Sequence, residues 1–215
     1  SRRLQVAKIM PVPVPGQEGA AEFFPLGAEY LGQGRTRFTA WAPHAARLEV
    51  ELSAPTPRRA GLTPLARGYF ASIVEDCGPG TRYRYRFPSG RSWPDPASRS
   101  QPQGVHGPSE VVDPAFPWRD AGWRGLARHD YILYELHVGT FTPKGTFAAA
   151  AERLPELKAL GITAVELMPV AQFPGRRGWG YDGVFPFAVQ ESYGGPDGLK
   201  RFVDACHEQG LAVVL

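Results

Sequence analysis

Three short apolar runs in the second half of the chain constrain its fold more than any other feature. The runs at residues 131–138, 162–169 and 211–215 are mostly apolar, as strands covered on both faces require. Amphipathic stretches at 147–160 and 197–209 separate them. This alternation of strand and helix predicts a parallel sheet with right-handed crossovers. Three such strands do not complete a sheet, so we expect the domain to continue past the last residue.

The two helical stretches carry recognisable start and stop signals. Thr146 can cap the first helix, and Gly161 suits the left-handed position just past its end. Pro155 should kink that helix or split it in two, because proline cannot donate the internal hydrogen bond. Gly210 is the expected stop of the second helix.

The first half of the chain predicts a different architecture. Its short alternating runs are separated by proline and glycine turns, which is typical of an antiparallel β-sandwich. These predicted strands are 37–41, 47–52, 69–74 and 81–87. In the last of them, Tyr83, Tyr85 and Phe87 share one face and arginines share the other. We interpret the aromatic row as core rather than as a nucleic-acid surface, and we expect Trp41 to lie in the sandwich core as well.

Composition excludes several classes of protein. A net charge of +3, spread along the chain, does not favour nucleic acid or a membrane surface as a partner. No segment reaches the roughly 18 apolar residues of a membrane span, and we identify no signal peptide. Cys77 and Cys206 lack metal-ligand spacing, so we expect two buried thiols, no metal site and a cytoplasmic location.

Several segments resemble the α-amylase family of glycoside hydrolases. The β-sandwich that precedes the catalytic barrel in branching, debranching and trehalose-forming members is similar to RFTAWAPHAARLEVEL and GPGTRYRYRF. The first two barrel strands and their loops are similar to YELHVGTFTPKGTF and GITAVELMPVAQFPGRRGWGYDG, and the second helix and third strand to YGGPDGLKRFVDACHEQGLAVVL. Within the family, the segment DPASRSQPQGVHGPSEVVDP is most similar to the connector of the maltooligosyltrehalose trehalohydrolases.

The resemblance implies a multidomain fold, β and then α/β. An immunoglobulin-like β-sandwich is followed by the first three strands of a (β/α)8 TIM barrel. The expected divisions are a lead-in at 1–24, the sandwich domain at 25–95, a connector at 96–130 and the start of the catalytic barrel at 131–215.

The resemblance also implies a substrate site on the loop after the second barrel strand, the usual place for substrate contacts in barrel enzymes. Tyr181 is expected to stack against the glucose at the cleaved bond, and Asp182 to orient that glucose or fix the loop. Trp179 is either a sugar platform or a pin that holds the loop. Arg176 and Arg177 are either contacts for the trehalose end or a solvated part of the loop.

No catalytic residue is assigned within these 215 residues. The family's nucleophile and acid/base lie on the fourth and fifth barrel strands, beyond the last residue here. Glu135 and Glu166 lie within their strands rather than past the strand ends, so we interpret them as structural, satisfied by their neighbours or by His137. His137 itself is interpreted as a satisfied interior histidine.

Three hypotheses about function remain open. The first is a retaining glycosidase without an organic cofactor, acting on maltooligosyltrehalose or a related α-glucan and releasing trehalose. The second is a glycogen branching or debranching enzyme. The third is a non-catalytic α-glucan-binding module. The sequence does not indicate the oligomeric state.

Overall fold

The computed structural model describes residues 25–215, which form an antiparallel β half followed by an α/β half. The predicted lead-in at 1–24 lies outside the described residues. The strands of the first half are β1 Gly27–Gly32, β2 Arg35–Trp41, β3 Leu48–Ala54, β4 Arg58–Pro64, β5 Tyr69–Val74, β6 Arg82–Arg86, β7 Ser92–Trp93 and β8 Ser109–Glu110.

These strands form a sheet that folds over into a sandwich. Their hydrogen-bonded order is β1-β2-β5-β4-β3-β6-β7, with β8 also paired to β6, and every pairing is antiparallel. β2 and β6 are not neighbours in this order, yet the rings of Phe38 and Tyr83 lie 4.9 Å apart, edge to face. The two strands therefore face each other across a core, as the predicted sandwich requires.

The alternation predicted for residues 81–87 is confirmed in β6. Tyr83 and Tyr85 are buried in the sandwich core. On the opposite face, Arg82 forms an ion pair with Glu110, with Nε and Oε2 2.8 Å apart. The arginines of this face are half-buried, in contrast to the buried tyrosines of the other face.

The prediction that Trp41 lies in the core is wrong. The side chain is 59% exposed, and its Nε1–H donates a hydrogen bond to the Arg67 carbonyl at 3.1 Å. Phe38 and Ala40 of the same strand are buried in the core. Because neighbouring residues of a strand point to opposite faces, Trp41 at the end of β2 points outward.

The second half contains the three predicted parallel strands. Its elements in chain order are β9 Leu133–Leu136, α1 Val138–Phe141, α2 Phe147–Ala151, α3 Leu154–Ala159, β10 Ala164–Leu167, β11 Ala171–Gln172, β12 Phe185–Val189, α4 Gly195–Glu208 and β13 Ala212–Val214. The parallel sheet has the order β13-β10-β9. The predicted strand at 131–138 is shorter than expected, since its last residue already begins α1.

The helices follow the sequence signals closely. Thr146 Oγ1 accepts the Ala149 N–H at 3.3 Å, which caps α2. The predicted helix is split as expected, with Pro155 in the first turn of α3. α4 packs Phe202 and Cys206 against the sheet residues Val165 and Leu167 in one buried core. Within the described chain, none of the helices is long and apolar enough to cross a membrane.

The connector lies along the outer side of α4 and is attached to it by charged and aromatic contacts. Arg119 donates to the buried Asp204 carboxylate through both its backbone N–H and its Nε, each at 2.8 Å. His207 Nδ1 lies 2.8 Å from Asp120 Oδ2, and the His207 ring stacks on Trp123 at 4.6 Å. These contacts fix the path of the chain from the sandwich to the barrel strands.

Candidate functional site

A short antiparallel ribbon folds back the long loop that follows β10. β11 and β12 pair Ala171 with Val189 and Gln172 with Phe185. Residues 173–184 form the tip of this ribbon, which carries the predicted substrate-binding residues. The sequence did not reveal the ribbon, since β11 has only two residues and no alternating pattern.

Two buried glutamines connect the sides of the ribbon. Gln190 accepts the Phe173 N–H at 3.0 Å and donates to the Gly175 carbonyl at 3.0 Å. Gln172 accepts the Glu191 N–H at 2.9 Å through its own side-chain oxygen. Buried side-chain amides that bond backbone groups on both sides of the ribbon hold β11 and β12 in one register. The stem of the loop is therefore fixed independently of any ligand.

The tip is closely packed at two glycines, and one of them cannot be replaced. Gly180 has φ +92°, and a Cβ there would lie 2.0 Å from the Pro169 carbonyl oxygen. A Cβ at Gly178 would lie 3.2 Å from the Phe173 ring, which is tighter than ordinary van der Waals contact. The loop thus passes just beyond the end of β10 with no room for a side chain at Gly180, and with a tight contact at Gly178.

His137, at the end of β9, is hydrogen-bonded through both ring nitrogens. Its Nε2 lies 2.8 Å from the Gly178 carbonyl, and its Nδ1 lies 3.0 Å from Thr140 Oγ1. A carbonyl can only accept, so Nε2 carries a proton and donates it to Gly178. The Thr140 hydroxyl can pair with Nδ1 on the other side of the ring, since a hydroxyl both donates and accepts. This arrangement confirms the prediction that His137 is satisfied.

Tyr193 is a buried member of the site that sequence reasoning missed. Its hydroxyl lies 2.9 Å from His137 Nε2 and 3.4 Å from the Gly178 carbonyl. Burial raises the pKa of the Tyr193 hydroxyl, so the group stays protonated and can donate to that carbonyl. Tyr193 follows no strand or helix period in the sequence, and no local motif marks it.

Trp179 and the two loop arginines enclose a cavity of about 280 Å³ beside His137. The lining residues are His137, Gly139, Thr140, Arg176, Arg177, Gly178, Trp179 and Tyr193. The cavity therefore combines an aromatic face with guanidinium and hydroxyl donors. Such a mixture suits a small polyhydroxylated ligand with one apolar face.

The three predicted substrate-binding residues do not all lie together. Trp179 is 62% exposed, and its ring lies 4.9 Å from the His137 ring at the cavity. Tyr181 is 71% exposed and, like the exposed Asp182, lies outside the residues that line the cavity. Trp179 therefore lies at the cavity, whereas Tyr181 and Asp182 are exposed to solvent next to it in the chain.

Glu135 and Glu166 lie opposite each other on the neighbouring strands β9 and β10. Leu136 and Leu167 pack under the helices, so alternation turns both glutamates to the other face of the sheet. The hydrogen bonds of His137 go to Thr140 of α1, to the Gly178 carbonyl of the loop and to Tyr193. Of the two kinds of partner expected for these glutamates, neighbouring residues or His137, the second is therefore wrong, because the His137 ring points toward the loop after β10.

The cysteines do not supply chemistry to this site. Cys77 and Cys206 are both free and buried, as predicted. Burial raises the pKa of the Cys206 thiol to about 12 and raises that of Cys77 as well, so both stay protonated. Among residues 25–215, no group of three or more histidine, cysteine, aspartate or glutamate side chains could hold a metal ion.

A larger groove of about 990 Å³ lies between the connector and the start of α4. Two of its charged lining residues are paired within the protein, since Arg119 binds Asp204 and Glu110 binds Arg82. The groove is the seam between the two halves, and the candidate site is the smaller cavity at the loop.

Two family models match the chain and overlap in the connector. Carbohydrate-binding module 48 (isoamylase N-terminal domain) matches residues 25–109. The alpha amylase catalytic domain matches residues 93–215, which is more than half of the chain.

Seven curated relatives carry the name malto-oligosyltrehalose trehalohydrolase, and another, from Xanthomonas axonopodis, is a 1,4-alpha-glucan branching enzyme with 36% identity over 213 residues. The malto-oligosyltrehalose trehalohydrolase of Saccharolobus solfataricus is 44% identical over 188 residues, covering 86% of this chain and 33% of the relative. The enzyme of the same name from Deinococcus radiodurans is 46% identical over 192 residues, covering 88% of this chain and 31% of the relative. The chain therefore spans about a third of the length of these relatives.

Solved structures give the same picture. A Salmonella typhimurium protein assigned by name as an alpha amylase has a TM-score of 0.83 and 45% identity, over 88% of this chain and 32% of that one. An Anoxybacillus pullulanase in complex with maltotetraose has a TM-score of 0.72 and 28% identity, over 87% of this chain and 34% of that one.

Proposed function

Since the chain belongs to the α-amylase family of glycoside hydrolases, we propose that the protein carrying it cleaves maltooligosyltrehalose. The bond cleaved is the α-1,4-glucosidic bond next to the terminal trehalose unit, and the products are trehalose and a shortened maltooligosaccharide. The reaction proceeds with retention and needs no organic cofactor. The name shared by seven of the relatives supports this substrate.

The observation that carries the proposal is the prearranged loop at the C-terminal end of β10. Glutamine bonds fix its stem and His137 holds its tip, while the rings of Trp179 and Tyr181 remain exposed. Exposed aromatic rings on a fixed support suit the apolar C–H face of a glucose unit. In this assignment Tyr181 stacks on the glucose at the cleaved bond, and Asp182 bonds its hydroxyls.

Trp179 is assigned to the cavity side of the loop. Its ring packs against His137, so one face is supported and the rest is open to a ligand. Arg176 and Arg177 line the same cavity and offer hydrogen-bond donors to sugar hydroxyls. The cavity is therefore proposed as part of the substrate groove.

The groups that break the bond are proposed to lie outside this chain. A retaining glycosidase needs two carboxyl groups about 5–5.5 Å apart, placed past the ends of barrel strands. Glu135 and Glu166 lie inside their strands instead. The 215-residue chain by itself is therefore expected to release no trehalose.

The direct test is incubation of the complete protein with maltooligosyltrehalose, followed by chromatography of the products. Free trehalose is expected, with maltoheptaose as the substrate control from which no trehalose can arise. Proton NMR of the first product should show retained α configuration at the new reducing end. If no trehalose is released and another α-glucan is cleaved, the proposed substrate is wrong.

A branching or debranching activity is the second candidate, favoured by the match to a pullulanase bound to maltotetraose. Branched glucan is the distinguishing substrate. Shortened or newly formed α-1,6 branches, without trehalose from maltooligosyltrehalose, would support this candidate.

The third candidate is an α-glucan-binding module without catalysis, favoured by the carbohydrate-binding module match at residues 25–109. Isothermal titration of the 215-residue chain with maltoheptaose tests it. Heat of binding is expected if the sandwich or the loop binds glucan alone, and a flat trace removes the candidate.

We also propose the domain division at 25–95, 96–130 and 131–215, and a cytoplasmic location. The overlap of the two family matches at residues 93–109 supports placing the first division there. The two free, buried cysteines support a reducing compartment.

A further inference from the structure

Two side chains from different elements converge on one peptide carbonyl of the loop. His137 Nε2 lies 2.8 Å from the Gly178 oxygen, and the Tyr193 hydroxyl lies 3.4 Å from it. The two donors also lie 2.9 Å from each other. This triangle joins the end of β9, the loop tip and the turn before α4.

The hydrogen-bonding roles in this triangle follow from the acceptor. The Gly178 carbonyl cannot donate, so His137 must present Nε2–H to it and Tyr193 can add its own O–H. The Thr140 hydroxyl, 3.0 Å from Nδ1, can pair with the other side of the ring. Both donors aimed at one oxygen fix the plane of the Gly178–Trp179 peptide.

The orientation of that peptide determines the position of the Trp179 side chain. Trp179 follows the held carbonyl directly, and its ring packs on the same imidazole at 4.9 Å. His137 therefore contacts the segment twice, once at the backbone and once at the ring. A shift of the imidazole would move both.

The support under the triangle is rigid. Tyr193 is buried, with its ring 5.8 Å from Phe173 and 6.1 Å from Phe147. Gly139 leaves the room that these rings occupy, because a Cβ there would lie 2.8 Å from His137 Cε1 and 3.1 Å from Tyr193 Cε1. The exposed indole of Trp179 is thus connected to the hydrophobic core through the side chains of His137 and Tyr193.

We infer that His137 and Tyr193 are positioning residues that hold the Gly178 carbonyl and so place Trp179 at the sugar-binding cavity. This inference rests on the proposed function, since it assigns the purpose of the placement to glucan binding. Neither residue needs to touch the substrate. The hydroxyl of Tyr193 acts through His137 and Gly178, and its effect on catalysis passes through Trp179.

The first test measures the loop without substrate. In the complete protein carrying Tyr193→Phe or His137→Phe, amides of residues 176–183 are expected to exchange hydrogen faster than in the wild type. His137→Gln keeps an N–H donor near the Nε2 position and should restore slow exchange. Tyr134→Phe is the matched control, because Tyr134 packs against the core without a bond to the loop. Unchanged exchange in both Tyr193→Phe and His137→Phe would overturn the inference.

The second test is a double-mutant cycle on α-glucan hydrolysis. Tyr193→Phe alone should lower kcat/KM about 10- to 100-fold, mostly through KM, as a misplaced binding group does. In a Trp179→Ala background the same substitution should cause little further loss, since its effect passes through the indole. Additive losses would indicate a general structural role and overturn the inference.

The two tests separate this inference from the proposed function. If the wild-type protein hydrolyses no α-glucan, the proposed function fails, and the exchange measurement still decides whether His137 and Tyr193 position the loop. Thermal unfolding of each variant identifies one that fails to fold. Tyr193→Phe, which removes a single oxygen atom, then carries the test.

Discussion

Gly180 is the residue at which the loop approaches the end of β10 most closely. Its positive φ and the 2.0 Å distance from an added Cβ to the Pro169 oxygen leave no alternative to glycine. Gly175, also with positive φ, lies in open space. The glycines of this loop are thus needed for different physical reasons: close packing at Gly180 and backbone conformation at Gly175. The structure distinguishes the two cases, and the sequence does not.

We predict that Gly180→Ala displaces the loop tip and sharply weakens maltoheptaose binding by the protein. The added methyl cannot fit, so the tip must move away from Pro169. Gly175→Ala is the control, since it meets only the backbone cost of about 1–2 kcal/mol for a left-handed non-glycine residue. Calorimetric titration of both variants is the measurement, and equal affinities for the two would contradict the prediction.

The ribbon of β11 and β12 is the element that turns a long loop into a defined surface. Its two strands supply few backbone pairs, and the buried side chains of Gln172 and Gln190 add bonds on both sides. A polar residue buried at zero exposure is stable only when its donors and acceptors are paired. Here the partners are backbone groups of the loop itself.

Gln190→Leu is expected to destabilise the protein by about 1–3 kcal/mol, because the Phe173 N–H is left buried without a partner. Trypsin should also cleave faster after Arg176 and Arg177 as the stem loosens. Urea unfolding and timed proteolysis measure the two effects. Gln209→Leu, at an exposed position past α4, serves as the control and should change stability by less than about 0.5 kcal/mol. Similar losses in the two variants would count against the role given to Gln190.

Across the whole molecule, polar contacts fix the connector where it leaves Asp95, the last residue of the proposed sandwich domain, and where it passes α4. Asp95 accepts the Tyr83 hydroxyl at 2.7 Å and the Ala97 N–H at 2.8 Å inside the sandwich. At its other end the connector binds α4 through Arg119 and the buried Asp204. The order of the two halves therefore depends on specific hydrogen bonds as well as on apolar burial.

Tyr83→Phe should lower the free energy of unfolding by about 1–3 kcal/mol near neutral pH. Burial raises the pKa of Asp95, while the Tyr83 hydrogen bond opposes that rise, so its loss raises this pKa further. A raised pKa means that the folded protein binds the proton more tightly than the unfolded chain. The stabilisation that comes from protonated Asp95 is then fully present below the pKa of Asp95 in the unfolded chain. It is lost as the pH rises through the pKa of Asp95 in the folded protein. The difference in the free energy of unfolding between the wild type and Tyr83→Phe should therefore be smaller at acidic pH.

Urea unfolding at several pH values checks this prediction. Tyr85→Phe is the matched control, since its hydroxyl lies 3.5 Å from the same carboxylate and should contribute less. Equal losses in the two variants, or a deficit independent of pH, would contradict the role of the Tyr83 hydrogen bond.

The sequence alone predicts the three parallel strands, the two helical stretches between them and four strands of the sandwich. It does not predict α1, the ribbon of β11 and β12, or the strands β1, β4, β7 and β8. Apolar runs at 162–169 and 211–215, and the helical stretches between the strands, became β10, β13 and their helices, since the burial of a strand or a helix face leaves a local periodic pattern. The split at Pro155 followed from proline chemistry alone. Trp41 was placed wrongly, because its hydrophobicity was given more weight than its alternation with Phe38 and Ala40.

The assembly of the site depends on tertiary packing that the sequence does not reveal. Tyr193, His137 and Gly178 are far apart along the chain and meet because the parallel sheet brings the ends of β9 and β10 together. Such contacts leave no periodic trace in the sequence. The role of Gln190 likewise depends on the backbone groups that it bonds across the ribbon. Local patterns record whether a residue is buried, whereas the partner it meets there depends on the packing of distant segments.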